Sequence, residues 1–236
     1  YHPKGDKLIW TSTRDNLDMH PGNYSDPKDY PQGAELYTSD LDGGNVVRLT
    51  NNEYYDAEVS YSSDGNKILF GRQINGEMDL WIMDPDGSNQ HQITFTPEWQ
   101  EGGSFFLSDN ETIILRAWKR SDEGQRGLPM TLFTVKDDGS ELTPLTDDDG
   151  TNWAPFPSPD GKKIAYVKVL PPHNYEIFLR ELETGKEVQL THSEAFDGFP
   201  AISPDGKMLS FSSSRGAAEG ERKLTLYLMD ISTVTL

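Results

Sequence analysis

Few residues in this 236-residue chain have the types and spacing that catalysis requires. The absence of Cys excludes disulfides, zinc–thiolate sites and thiol nucleophiles. Motifs for a serine nucleophile (G-x-S-x-G), a zinc protease (H-E-x-x-H) and nucleotide-binding glycine loops are also missing from the sequence. The histidines are scattered over different segments, which favours surface roles over metal ligation: His2, His20, His91, His173 and His192. The sequence predicts a protein that is not an enzyme and needs no cofactor.

One acidic run has the chemistry of a calcium site. Asp147, Asp148 and Asp149 stand together before Gly150, and Ca²⁺ prefers carboxylate oxygens. The acidic turn that begins at Asp84 lacks EF-hand spacing and is better explained as a hairpin turn. No pair of carboxylates stands out as a glycosidase centre. The aspartate run is therefore the one metal candidate, for calcium.

The charge balance narrows the classes of partner. The chain has 21 Lys and Arg against 39 Asp and Glu, a net charge of −18. Nucleic-acid and anionic-membrane surfaces are disfavoured, since both are bound mainly through cations. No apolar run approaches the 18 or so residues of a membrane span. The acidity instead favours a protein partner with a basic patch.

The elements that position these residues are predicted by two interleaved repeats. The first is a glycine turn followed by an apolar strand, as in SSDGNKILF at 62–70. It recurs at 2–10, 107–115, 158–166 and 203–211. Asn110 replaces the turn glycine once, and Asn is the next best residue at positive φ.

The second repeat has a constant length. An apolar–aromatic pair is followed by an acidic glycine turn and then by Leu-Thr or Ile-Thr. Its first residue and final Thr are 14 positions apart four times: Leu36 and Thr50, Leu80 and Thr94, Leu132 and Thr146, Ile177 and Thr191. Together the repeats predict four short strands per unit, an all-β chain and a β-propeller. The predicted units are 1–53, 54–97, 98–149, 150–194 and 195–236 of a single domain.

The SPDGK turn with its apolar strand, followed by L-Y/W-x-x-D-x-D-G and Leu-Thr, resembles the TolB-like β-propeller repeat, a relative of the WD repeat. This resemblance covers essentially the whole chain. It implies a role like that of the periplasmic TolB protein, of other envelope proteins, or of propellers fused to peptidases.

The strand count leaves the first unit without an innermost strand and the fifth without an outermost one. The chain starts at Tyr1 instead of Met, so we expect a processed, trimmed or incompletely observed chain. One upstream stretch of about twenty residues could supply both strands. Five blades is the preferred prediction, with six possible if more of the chain is missing.

Long loops after the second and fourth strands of each unit predict the working face, since function often lies on irregular loops held by a rigid scaffold. The candidate binding residues on this long-loop face are Tyr24, Tyr30, Tyr54, Tyr55, Trp99, Trp153, Arg14 and Arg215. Burial between blades is the alternative for Trp153, Phe196 and Phe199. A basic residue follows each second strand, at Arg14, Arg72, Arg116, Lys168 and Arg215, and pairing with acids such as Asp56 or Asp197 is the alternative role for these cations.

The function predicted from these features is a non-catalytic, protein-binding scaffold. The TolB-like resemblance implies a subunit or accessory of a bacterial envelope or membrane-associated complex, located in the periplasm. Two alternatives remain: an accessory propeller of a hydrolase or peptidase, and a carbohydrate-binding or lyase-type propeller that uses Trp99 and Trp153.

Overall fold

A computed structural model describes residues 1–218, 220–221 and 223–236. The long loop predicted after the second strand of the fifth unit spans 215–223, and two of its residues lie outside the described residues. The strands, in chain order, are β1 (Lys7–Ser12), β2 (Glu35–Asp40), β3 (Val47–Arg48), β4 (Tyr55–Tyr61), β5 (Ile68–Ile74), β6 (Glu77–Met83), β7 (His91–Gln92), β8 (Trp99–Phe106), β9 (Thr112–Lys119), β10 (Thr131–Lys136), β11 (Thr143–Pro144), β12 (Asn152–Pro157), β13 (Lys163–Leu170), β14 (Asn174–Glu181), β15 (Glu187–Gln189), β16 (Asp197–Ile202), β17 (Met208–Ser213) and β18 (Thr225–Asp230). One short 3-10 helix spans Arg120–Asp122.

These strands form five antiparallel sheets, each within one predicted unit. Three sheets have four strands, β4–β7, β8–β11 and β12–β15, and two have three strands, β1–β3 and β16–β18. Each sheet follows chain order from its inner to its outer strand, as in the blade of a propeller. The predicted all-β, five-bladed propeller is confirmed.

The S-x-D-G turns join the first and second strands of a blade through a repeated set of hydrogen bonds. Ser62 Oγ accepts the Lys67 N–H at 3.0 Å and donates to Asp64 Oδ1 at 2.6 Å. Asp64 in turn accepts the Asn66 N–H, and Gly65 has a φ of 76°. The turns that begin at Ser158 and Ser203 repeat this pattern. The motif is a structural device at the end of the propeller opposite the long loops.

The constant 14-residue spacing also has a hydrogen-bond explanation. The hydroxyl of each repeat threonine accepts the buried N–H of the residue 14 positions earlier, at 2.8 to 3.0 Å. The pairs are Leu36 with Thr50, Leu80 with Thr94, Leu132 with Thr146, and Ile177 with Thr191. Each threonine lies just beyond the short fourth strand and accepts a buried N–H of the third strand. This bond fixes the number of residues that connect the two positions.

Every complete inner strand carries a bulge at the same place. The register of β4, β8, β12 and β16 shifts within a few residues of a residue with positive φ. These residues are Glu58, Gly103, Ala154 and Phe199, with φ of 50° to 56°. A bulge bends its strand and redirects side chains, so these positions shape the opening along the propeller axis.

Apolar side chains fill the spaces between successive blades. Leu69, Leu80 and Ile82 of the second blade pack with Ile113 and Leu115 of the third. Comparable clusters join the first and second, third and fourth, and fourth and fifth blades. Strands buried on both faces explain the nearly continuous apolar runs of the sequence. Among the described residues, no helix is long and apolar enough to cross a membrane.

Candidate functional site

Four tyrosines of the long-loop face form one cluster. The loop between β1 and β2 supplies Tyr24 and Tyr30, the connection from β3 to β4 supplies Tyr54, and Tyr55 is the first residue of β4. Tyr30 stacks on Tyr55 with ring centroids 4.2 Å apart, and Tyr24 meets Tyr55 edge-on at 6.0 Å. Tyr55 is buried, whereas Tyr24 is 53% and Tyr54 42% exposed. The inner pair therefore supports an outer pair that is available for contact.

The cluster borders a polar cleft of about 590 Å³. Its walls come from three blades, because the hairpin at Asn75 and Gly76 and the loop with Arg120 and Glu123 face the tyrosines. Gln73 donates to the Pro27 carbonyl at 2.9 Å, and Gln100 donates to the Gly76 carbonyl at 2.7 Å. These amides fix the walls of the cleft, so the cleft is built into the scaffold.

Some charged side chains around the cleft have a close ion-pair partner and others do not. His20 lies 2.7 Å from Asp29, and Arg120 lies 3.0 Å from Glu77. The side chain of Glu123 is only 9% exposed, and Nζ of the exposed Lys28 lies 3.9 Å from its Oε2. Within the described ranges, Glu123 Oε1 has no hydrogen-bond partner. The cleft thus holds a buried carboxylate oxygen whose bonding capacity is unused.

Burial and the surrounding carboxylates raise the pKa values of Tyr30 and Tyr55. Burial, followed by the charge of Glu58, raises the pKa of Tyr30 to about 12, and Glu123 and Asp26 add to the shift. The pKa of Tyr55 is raised for the same two leading reasons. Both side chains therefore remain neutral phenols at physiological pH and present rings and hydroxyls to the cleft.

The basic residues after the second strands are paired with acids. Arg72 makes a bidentate contact with Asp56 at 2.6 and 2.7 Å and stacks 4.6 Å from the Trp81 ring centroid. Arg215 contacts Asp197 at 2.5 Å, and Arg116 contacts Glu58 at 2.7 Å. Arg14 lies 4.0 Å from Asp15 and over the rings of Trp10 and Tyr37. Arg72, Arg116 and Lys168 lie inside β5, β9 and β13, and not after these strands as the sequence predicted.

The other predicted aromatics do not join the tyrosine cluster. Trp99 packs edge-on against Phe133 at 5.5 Å and is half-buried. Trp153 packs between the fourth and fifth blades, 4.8 Å from Phe199 and 6.4 Å from Phe196. Trp153 and Phe199 also line an axial cavity of about 370 Å³, together with Glu58 and Arg116.

The central carboxylate of the predicted calcium site, Asp148, is held by groups of the protein itself. Lys168 Nζ lies 2.8 Å from Asp148 Oδ2, and the Asn152 amide donates to Asp148 Oδ1 at 2.7 Å. The central carboxylate is therefore occupied by a cation of the protein itself. In the portion of the chain that the structure describes, no three His, Asp or Glu side chains are grouped to hold a metal.

Sequence reasoning missed the polar walls of the cleft. The Asn-Gly pair at 75–76 is a strong hairpin signal that would have placed this turn on the long-loop face. Glu123 lies in the charged loop SDEGQRG, where nothing in the residue pattern distinguishes it from its neighbours. Its burial depends on the loop between β1 and β2, which is distant in sequence.

We compared the chain with known protein families and curated proteins. No protein-family model matches the chain. An uncharacterized protein of Agrobacterium fabrum is 30% identical over 59% of this chain and 49% of its own length. A TolB homolog of Chlorobium luteolum is 26% identical over 64% and 32%, and dipeptidyl-peptidase 5 of Porphyromonas gingivalis is 23% identical over 89% and 37%. The chain thus spans about half or less of these curated relatives.

Solved structures are similar over nearly the whole chain. TolB from Acinetobacter baumannii has a TM-score of 0.74 and 21% identity, over 98% of this chain and 50% of that one. A putative TolB from Agrobacterium tumefaciens has a TM-score of 0.69 and 18% identity, over 96% and 78%. An oligogalacturonate lyase in complex with manganese has a TM-score of 0.64 and 16% identity, over 95% and 62%. As its repeats predict, the chain has the TolB-like β-propeller fold.

Proposed function

We propose that this chain is a non-catalytic binding module that engages another protein through its long-loop face. The observation that carries the proposal is the tyrosine cluster with its cleft. Tyr24 and Tyr54 are exposed beside the stacked pair of Tyr30 and Tyr55. Residues of three blades form the walls of the cleft. Tyrosines that combine rings with hydroxyls and lose little entropy on binding are typical of interface hot spots.

The chemistry of the chain supports a role in binding. The sequence offers no nucleophile motif, and Arg72, Arg116 and Arg215 at this end of the propeller are already paired with carboxylates. A net charge of −18 favours a partner with a basic surface and speeds the encounter with it. The resemblance to TolB supports a place in a bacterial envelope or membrane-associated complex, in the periplasm.

Comparative capture of partners tests this proposal. The bait proteins are the wild type, the long-loop face variant Tyr24→Ser/Tyr54→Ser, and the matched control Leu41→Ser/Val47→Ser. The control removes exposed apolar side chains of the first blade away from this face. We expect a stoichiometric partner with the wild type and the control, and at least about a tenfold loss with the face variant. Equal capture by all three proteins would contradict the proposal, provided that their melting temperatures agree.

An accessory propeller of a peptidase is the second candidate. It is favoured by the similarity to dipeptidyl-peptidase 5 over most of this chain but little more than a third of that protein. This candidate requires a hydrolase domain in the same reading frame or in a stable complex. Sequencing the full gene distinguishes it from the first proposal, because a fused catalytic domain would assign the propeller a supporting role in an enzyme.

A further inference from the structure

The cleft beside the tyrosine cluster is lined by hydrogen-bond acceptors that have no donor, whereas the described Lys and Arg side chains in its wall each contact a carboxylate. Glu123 Oε1 lacks a partner among the described residues. Within the same ranges, the hydroxyls of Tyr30, Tyr54 and Tyr55 make no hydrogen bonds, and Glu53 makes no ion pair. A ligand that donates several hydrogen bonds and carries positive charge would satisfy these groups.

The cations that line the cleft do not fill this role. Arg120 is held by Glu77 at 3.0 Å and by the Pro97 carbonyl at 3.3 Å, and His20 is held by Asp29. Lys28 is 68% exposed and lies 3.9 Å from Glu123 Oε2, which is a loose surface contact. A buried carboxylate with only such a contact is costly unless a better partner is supplied.

We propose that the cleft receives an arginine side chain of the partner protein, with its guanidinium bound by Glu123 and by the rings and hydroxyls of the tyrosine cluster. This inference rests on the proposed function, since it names the group that the partner inserts. A guanidinium has five N–H donors in a plane, stacks on aromatic rings and is weakly hydrated. It therefore matches a cleft with a buried carboxylate, phenol oxygens and tyrosine rings.

The test uses two small probes of closely similar shape, N-acetyl-arginine N-methylamide and its citrulline counterpart, in which a neutral urea with a carbonyl acceptor replaces the charged guanidinium. Each probe is titrated into protein with labelled tyrosine rings, over the millimolar range expected of a single side chain. We expect the arginine probe to shift the rings of Tyr30 and Tyr55 and the citrulline probe to have no saturable effect. Equal binding of both probes, or no binding of either, would overturn the inference.

Variants place the probe in the cleft. Glu123→Gln keeps the shape of the side chain and should weaken the arginine probe roughly tenfold, the value of one charge-assisted hydrogen bond. Glu183→Gln, an exposed change of the same type on the opposite end of the propeller, should leave binding unchanged. Lys28→Gln removes the loose competitor and should tighten binding, a gain that misfolding cannot produce. Equal affinities for wild type, Glu123→Gln and Lys28→Gln would overturn the assignment.

The outcomes separate this inference from the proposed function. Capture that depends on Tyr24 and Tyr54, without binding of the arginine probe, would leave the proposed function standing and remove the inference. Binding of the probe without any partner captured through this face would remove the proposed function and, with it, the assignment to a partner side chain.

Discussion

The residue two positions before the bulge of each inner strand is buried, and its hydrogen-bond or ion-pair partner depends on the register with the next strand. Relative to the bulges, Asp56, Glu101, Asn152 and Asp197 occupy equivalent buried positions. Arg72 lies directly opposite Asp56, whereas Arg116 lies opposite Gly102, one residue away from Glu101. Glu101 therefore has two threonine hydroxyls, those of Thr94 and Thr96, as donors but no paired cation among the residues that the structure describes.

The pH dependence of stability should reveal this unpaired acid. Burial raises the pKa of Glu101 from 4.5 to about 7, and the charge of nearby Asp79 adds to the shift. The folded state therefore holds a proton that the unfolded chain releases above pH 4.5, so this group makes stability fall as pH rises toward 7. Relative to Glu101→Gln, the free energy of unfolding of the wild type should fall by about 3 kcal/mol across that interval.

Urea denaturation at several pH values measures this difference. Glu183→Gln, which removes an exposed carboxylate, is the matched control and should give a curve parallel to the wild type. A Glu101→Gln curve that is also parallel to the wild type would contradict the assigned role of Glu101.

The buried pair of Arg72 and Asp56 makes a second prediction at the scale of single residues. Arg72→Met keeps an unbranched apolar stem but leaves the fully buried Asp56 without its bidentate partner. We expect a loss of about 3–5 kcal/mol of unfolding free energy. Arg14→Met removes an arginine that also lies over aromatic rings but whose acid is half-exposed, and should cost about 1 kcal/mol or less. Similar losses for the two variants in chemical denaturation would contradict this account.

At the scale of structural elements, the threonine that ends each repeat is a hydrogen-bond acceptor for the third strand. Thr146→Val preserves shape but leaves the buried Leu132 N–H without its acceptor, which should cost about 1–3 kcal/mol. Thr146→Ser retains the hydroxyl and should cost clearly less. Thr143→Val, in the exposed outer strand, should change stability by less than about 0.5 kcal/mol. Calorimetric melting measures all three, and a Thr146→Val variant as stable as the wild type would contradict the explanation of the 14-residue spacing.

The elements were predictable from the sequence because their determinants are local. The S-x-D-G turn bonds within six residues, and the Leu–Thr spacing bonds across 14 residues, so both leave a periodic trace. The cleft was not predictable in the same way. Gln73 reaches the carbonyl of Pro27, 46 positions away, and Glu123 is covered by the loop between β1 and β2. Such contacts depend on neighbouring blades and leave no periodic pattern in one sequence.

Only some of the predicted site residues meet at the cleft, because their positions also depend on contacts between neighbouring blades. The sequence placed Tyr24, Tyr30, Tyr54 and Tyr55 on one face, and the structure brings Tyr30, Tyr54 and Tyr55 to one cleft, with Tyr24 packed against Tyr55. It could not separate them from Trp99 and Trp153, which the sequence placed in the same kind of loop but which lie in β8 and β12 and pack against β10 and the fifth blade. The direction of a side chain within a loop depends on tertiary packing, which residue type alone does not specify.

At the scale of the whole molecule, the two ends of the propeller differ in construction. One end consists of short turns with repeated hydrogen bonds, which leave little room for variation. The other end carries irregular loops, the tyrosine cluster and the cleft. This division assigns scaffold and recognition to opposite ends, and it is the central claim of the proposed function.

Site-specific photo-crosslinking in the native host tests that claim most directly. A benzophenone amino acid replaces Tyr24 on the long-loop face or, as the matched control, Leu41 in a short turn, where the two side chains are equally exposed at 53%. We predict a discrete crosslinked protein from position 24 and none from position 41. Crosslinks of equal yield from both positions, or from position 41 alone, would contradict the assignment of binding to the long-loop face.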